Sequence, residues 1–279
     1  MENEKLYPKE KQKGVVFYQE QKGVVFYQDL AEDTGNGDAI DIDVDDEVKE
    51  VVICYDLIMP DSKKSFPNVE SLVIKSNVFE IRIPNSLFPN VKWVQSERDR
   101  FKTGNCLVLD EGNIFCTLLN TFCKKEGEVI KIDDITAIKN GAFSGCESTN
   151  LTGAIDVYCG DDIEPDAFAG SAFAKQPFVN GVKMAGNIVI DIDKTSEEVI
   201  IPDDDYEKAI FIANTDLTMV KKLVVHRYET ARQVNYDTNR NAEAAKFIGL
   251  GLLTPAAAKS LYENAVNNGN NDIAAYLME

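Results

Sequence analysis

The chain has 279 residues, enough for one large domain or two small ones with an ample core. Apolar residues make up 44%, an ordinary share for a soluble globular protein, and the formal net charge is −18. A balance of that sign argues against nucleic-acid binding, which needs a basic face. The acid is clustered. Ten Asp or Glu stand against one Lys between Asp29 and Glu50, and eight against one between Asp191 and Glu207. Such runs read as solvated surface, with a basic partner or Ca²⁺ as the alternative. The charged start, Met1 to Lys5, leads into no apolar signal-peptide core, and no run approaches transmembrane length. The expectation is a cytoplasmic protein without membrane contact, with a secreted or cell-surface one as the alternative.

The first predicted element is a doublet. Gln12–Gln19 is copied without change at Gln21–Gln28, nine residues on. Each copy, Lys-Gly-Val-Val-Phe-Tyr-Gln, is β-branched and aromatic with Gly and charge at its border, so each reads as a strand. An odd spacing would turn equivalent side chains to opposite faces of one continuous strand. A hairpin follows instead, with strands Val15–Gln19 and Val24–Gln28 and a loop at Glu20–Gly23. Deleting one copy is expected to leave the remainder folded but less stable or stickier. Ile40 to Val44 alternates apolar and acidic residues and is a further candidate strand.

The working period lies downstream. Val48, Val51 and Ile53 fill an L-x-x-L-x-L template, as do Val69, Leu72 and Ile74; Val91 and Val94 fill two of its three anchors. Val220, Leu223 and Val225 fill it again near the end. On a strand the last two anchors point inward and the residues between them outward. One strand and a return segment per 21–25 residues predicts a leucine-rich-repeat solenoid, whose units bury their apolar sides only by stacking.

A second pattern occupies the middle. Ile138, Ala142, Phe143, Gly145 and Cys146 align with Ile163, Ala167, Phe168, Gly170 and Ser171 as I-x-x-x-A-F-x-G-[C/S]. Together with Arg82-Ile83-Pro84 and Ile200-Ile201-Pro202, this resembles the BspA-like leucine-rich repeats over about residues 48–226. The resemblance implies stacked Phe side chains in an internal column, and a small residue on a tight turn at Cys146. It also implies protein–protein interaction and a bacterial source.

From Asn241 the period becomes helical, with Ala244, Ala245 and Ile248 on one face. Thr254-Pro255 caps a helix whose apolar stripe is Leu261, Ala265 and Val266, and Gly269 ends it. Asn271 starts a last helix with Ile273 and Leu277. This pair resembles an ankyrin-type hairpin. The predicted class is therefore α+β: an N-terminal β cap over 1–47, repeats over 48–227 and a C-terminal helical cap over 228–279.

Chemistry is sparse. His226 is the single His, so no Ser-His-Asp set can form without it. The six Cys, at 54, 106, 116, 123, 146 and 159, contain no C-x-x-C pair and read as buried free thiols, although an even count permits disulfides. Asp41 to Asp45 mimics an EF-hand start, but Asp46 stands where Gly is required and Val52 where Glu is required. Asp203 to Asp205 reads as a solvated turn. No catalytic residue, cofactor site or metal site is assigned.

The expected function is a non-catalytic module that binds an unidentified protein, a basic one being the partner that the acidic charge suggests. Its face would comprise the outward positions Glu50, Val52 and Cys54; Ser71, Val73 and Lys75; Trp93, Gln95 and Glu97; and Lys222, Val224 and His226. Ser71, Val73, Lys75, Trp93, Gln95 and Glu97 are the candidate contacts, because Trp93 is the only Trp and aromatic residues anchor interfaces. The alternatives are an enzyme or metal-dependent module with carboxylate ligands, and a self-assembling structural element.

Overall fold

A computed structural model describes residues 16–18, 23–26, 44–212 and 222–224, with gaps at 45, 55, 113–114, 133, 154–161 and 201–209, and single positions between 262 and 274. The described chain is a β-solenoid of about five turns with few helices. Its first sheet contains β1 (Val16–Tyr18), β2 (Gly23–Phe26), β3 (Glu50–Ile53), β5 (Ser71–Ile74) and β7 (Trp93–Ser96), in that order. The doublet forms the expected antiparallel hairpin, Val16 opposite Val25. Gly23 opens β2, opposite Tyr18, and is not part of the loop as expected. From β2 onward the pairing is parallel: Gly23, Glu50, Ser71 and Trp93 share one rung, and Val25, Val52, Val73 and Gln95 another.

The template anchors make the core. Val48, Val51, Ile53, Val69, Leu72, Ile74, Val91 and Val94 are all buried. Burial of each such side chain stabilises by about 1.5–3 kcal/mol. The residues between them are half-buried or exposed, as period-two alternation requires. A second parallel pair, β4 (Leu57–Ile58) and β6 (Ile81–Arg82), lines another side of the first turns. Leu57-Ile-Met-Pro60 and Ile81-Arg-Ile-Pro84 share an apolar-x-apolar-Pro pattern. That signal marks the strand pair.

Stacking is then interrupted. An antiparallel bridge from Val94 to Gly104 covers the far edge of β7. A hairpin of β8 (Leu107–Asp110) and β9 (Cys116–Asn120) follows, turning at Gly112 with φ +90°. Parallel stacking resumes from β9 to β11 (Ala137–Ile138) and on to Ile163, and from β10 (Ile130–Lys131) to β12 (Leu151–Thr152). A second hairpin, β13 (Val182–Ala185) and β14 (Ile188–Ile192), pairs onward with β16 (Ile210–Phe211). β15 (Glu198–Ile200) pairs with β17 (Lys222–Val224). The expected series of one strand per 21–25 residues is therefore interrupted. Two antiparallel hairpins, each built around a Gly turn inside an apolar run, break the series. They also place β17 in a separate sheet, so Lys222 and Val224 do not extend the rungs of Ser71 and Trp93.

The aromatic column is present. Phe143 and Phe168 are stacked, with ring centroids 4.4 Å apart and planes at 16°, and Phe173 meets both edge-on. Phe66 and Phe88 make a second pair at 5.8 Å. Cys146 is buried on the turn after Gly145, whose φ is +72°. Ser171 takes the same place one turn later. Its Oγ donates to the Phe168 carbonyl at 2.6 Å and accepts the Ala174 N–H, capping the short helix α1 (Ala172–Lys175). A Cβ on Gly145 would lie 2.8 Å from Cys123 Sγ, in a backbone region that side chains avoid. Gly145→Ala should therefore cost about 1–3 kcal/mol. Adding Cys123→Ala should recover the steric part only. Urea melts of the two single variants and the double variant measure this, and strict additivity would refute the contact.

The strand expected at Ile40–Val44 and the helices expected from Asn241 lie almost entirely outside the described residues. Val44 is buried but belongs to no strand. Tyr262, Glu263, Val266 and Asn267 are helical, and Gly269 has the positive φ expected of a helix terminator, +71°. Val266, assigned above to the apolar stripe, is 50% exposed.

Candidate partner-binding face

The face is built by register. Parallel pairing puts Ser71 beside Trp93 and Val73 beside Gln95, and carries Lys75 and Glu97 together just past the strand ends. Trp93 is 52% exposed, and Gln95 and Glu97 are exposed too; Ser71, Val73 and Lys75 are half-buried. All six candidate contacts therefore lie on one side of one sheet, with Glu50 and Val52 on the neighbouring strand and Cys54 just past its end. A Trp indole on this surface leaves a large apolar area in water, which a partner would remove.

Around the indole the surface is polar and ordered. Ser71 Oγ donates to Glu50 Oε2 at 3.3 Å, and the Lys75 ammonium pairs with Glu97 at 2.5 Å. Beside the strands Glu70 stands between Lys49 at 3.2 Å and Lys92 at 2.9 Å. Hydrogen bonds from Lys92 and then Lys49 hold the Glu70 carboxyl below its ordinary value. Further turns repeat the device: Lys125 with Glu147 and Lys139 with Glu164, 22 and 25 residues apart. Each exposed pair contributes little alone. Collectively they favour this register, because a slipped one would separate the opposite charges. Opposite charges recurring at the repeat distance are a sequence signal that hydrophobic periodicity overlooks.

Sequence reasoning also missed the interior polar seam where the two stacks meet. Asn85 and Thr121 are 36 residues apart yet adjoin, because the segment with β8 is looped out between them. Asn85 Nδ2 donates to the carbonyls of Ala142 and Ser144, both at 2.9 Å, and Thr121 Oγ1 also donates to Ala142. Lys124 is buried and its Nζ donates to the Val91 carbonyl. The backbone ladder puts Lys124 at the position of Cys146. The Lys124 carbonyl accepts from Glu147 N–H just as the Cys146 carbonyl accepts from Ala172 N–H, both at 2.7 Å. A position predicted to need a small side chain holds a Lys here because the irregular junction leaves room and an unmet carbonyl. Burial pushes the Lys124 ammonium below its ordinary value.

The thiols are structural in character. Cys106, Cys116, Cys123 and Cys146 are buried and free, and Cys54 is half-buried and free; Cys159 lies outside the described residues. Burial raises the thiols of Cys54, Cys123 and Cys146, and that of Cys106 to about 12. Reactive cysteines shift the other way, since the thiolate is the nucleophile. Among the described residues no group of three or more His, Cys, Asp or Glu is placed to hold a metal ion, and no helix is long and apolar enough to cross a membrane. His226, Asp203 to Asp205 and most of the acidic segment from Asp29 lie outside the described residues.

Compared with protein-family models, curated proteins and solved structures, the chain matches none.

Proposed function

We propose that this chain is a non-catalytic interaction module that takes a protein partner across the outward face of β3, β5 and β7, anchored on Trp93. The observation that carries the reading is the half-exposed indole of Trp93, held in register beside Ser71 on an in-line parallel sheet and rimmed by the Lys75–Glu97 pair. Rigid strands hold such an anchor at low entropic cost, and aromatic side chains at the centre of a patch carry a large share of interface energy. The A-F-x-G-[C/S] units, in their resemblance to BspA-like repeats, support the same class of function. The acidic balance of the chain favours a basic partner.

Affinity capture from the source organism, run with the unaltered chain and with Trp93→Ala, tests this. The variant should melt within a degree or two of the parent, because the side chain is largely outside the core. It should bind the captured partner on the order of 30-fold more weakly, the loss typical of a hot-spot aromatic. Equal affinity for the two would place the contact elsewhere on the solenoid.

A further inference from the structure

The doublet hairpin has a symmetry of its own. β1 and β2 carry the same octapeptide nine residues apart, and they pair Val16 with Val25, Phe17 with Val24 and Tyr18 with Gly23. Replace each β1 residue by its twin in the second copy. The pairing then reads Val25 with Val25, Phe26 with Val24 and Tyr27 with Gly23. It is an antiparallel pairing of one sequence with itself about a two-fold axis through Val25. That is the arrangement of an isologous strand–strand dimer. β2 meets β3 along its other edge, so among the described residues β1 covers the edge that would make such a contact.

We propose that the first copy is an in-chain substitute for a second molecule. The edge of β2, once uncovered, takes the β2 strand of another copy of this chain, antiparallel and centred on Val25. This surface is separate from the Trp93 face and does not depend on the function assigned to it. The energetics favour the closed form in the intact chain. A connection of four residues gives β1 an effective concentration on the order of millimolar at β2. A second molecule at micromolar concentration is outcompeted by about a thousandfold. Exposed edges otherwise pair readily, and β-addition draws its affinity from main-chain hydrogen bonds that any strand of matching register can make. Here the matching register is already realised inside the monomer.

The test removes the cover. Deletion of Gln12–Glu20 leaves one copy with its flanks intact. The intact chain should sediment as a single species across the micromolar range, while the deletion variant should double in mass as concentration rises. Excess peptide of the sequence Gln21–Gln28 should return the variant to the single mass, and a scrambled peptide should not. A second variant keeps the full length and carries Val16→Pro with Phe17→Pro. Neighbouring residues of a strand direct their N–H groups to opposite edges, so one of the two substitutions must remove a bond to β2. It should associate in the same way. Folded variants that stay monomeric would overturn the proposal. So would an intact chain that doubles in mass regardless of peptide, or loss of cooperative melting in both variants, since β2 would then have no edge to offer.

Discussion

Phe143→Ala is expected to lower the free energy of unfolding by about 3–5 kcal/mol. Phe143 is fully buried, stacks on Phe168 at 4.4 Å and receives the edge of Phe173 at 5.6 Å. Truncation removes the transfer energy of the ring and leaves a void beside two rings that cannot both move into it. Backbone bonds from Phe143 N–H to Ala167 and from Thr121 N–H to Ala142 fix the spacing of the turns, so collapse is limited. Aromatic pairing adds about 0.5–1.5 kcal/mol beyond area burial. Phe115→Ala is the control. That ring is 55% exposed, and its loss should stay within about 0.5 kcal/mol. Chemical denaturation of both variants measures the contrast. A small effect at Phe143 would mean that the column is ornamental to a fold held by its strands.

The second large effect concerns alkaline pH. Burial raises the Cys106 thiol from an ordinary value of 9.0 to about 12. Between those values the unfolded chain releases a proton that the folded chain retains, so stability falls as pH rises. The slope for one group is about 1.4 kcal/mol per pH unit, or roughly 3 kcal/mol from pH 9.5 to 11.5. Cys54, Cys123 and Cys146, also raised, act in the same direction. Lys124 acts oppositely: with its folded value below 10.5, it favours folding as pH climbs toward 10.5. Above pH 10.5 the ammonium adds no further slope while the Cys106 thiol still does, so the net expectation there is alkaline unfolding. Cys106→Ser isolates one contribution. The hydroxyl keeps the donor to Asn105 Oδ1, 3.4 Å away in the parent, and does not ionise in this range. Its stability should decline with pH less steeply than the parent by about one proton's slope. Parallel curves would show that Cys106 is open to solvent in the folded chain.

Both effects rest on residues whose placement was only partly legible beforehand. The Phe column followed from the spacing of two A-F units, because a buried aromatic at a fixed repeat position must meet its twin. The strand anchors Val48 to Val94 followed for the same reason, and so did the outward positions of Trp93 and Gln95. The doublet read as a hairpin because an odd repeat cannot lie on one face of a single strand. These inferences succeeded where local chemistry repeats at the period of the structure.

They failed where the chain leaves that period. The β8–β9 and β13–β14 hairpins send Lys222 and Val224 to another sheet, although their template match is complete. Lys124 and Asn85 have the composition of solvated loops, yet both are buried. Their partners are carbonyls of Val91, Ala142 and Ser144, which no local pattern brings near.

The amino-acid sequence by itself determined the repeating strand, its buried anchors, its outward face and the self-complementary doublet. Each depends on periodicity along the chain and on the hydrophobic effect acting side chain by side chain. Only the tertiary structure decided where the stack is interrupted, which polar groups seal the interruption and which strand edge the doublet covers. Those depend on closures between residues tens of positions apart, where the deciding cost is an unmet backbone hydrogen bond that exists only once the turns have stacked.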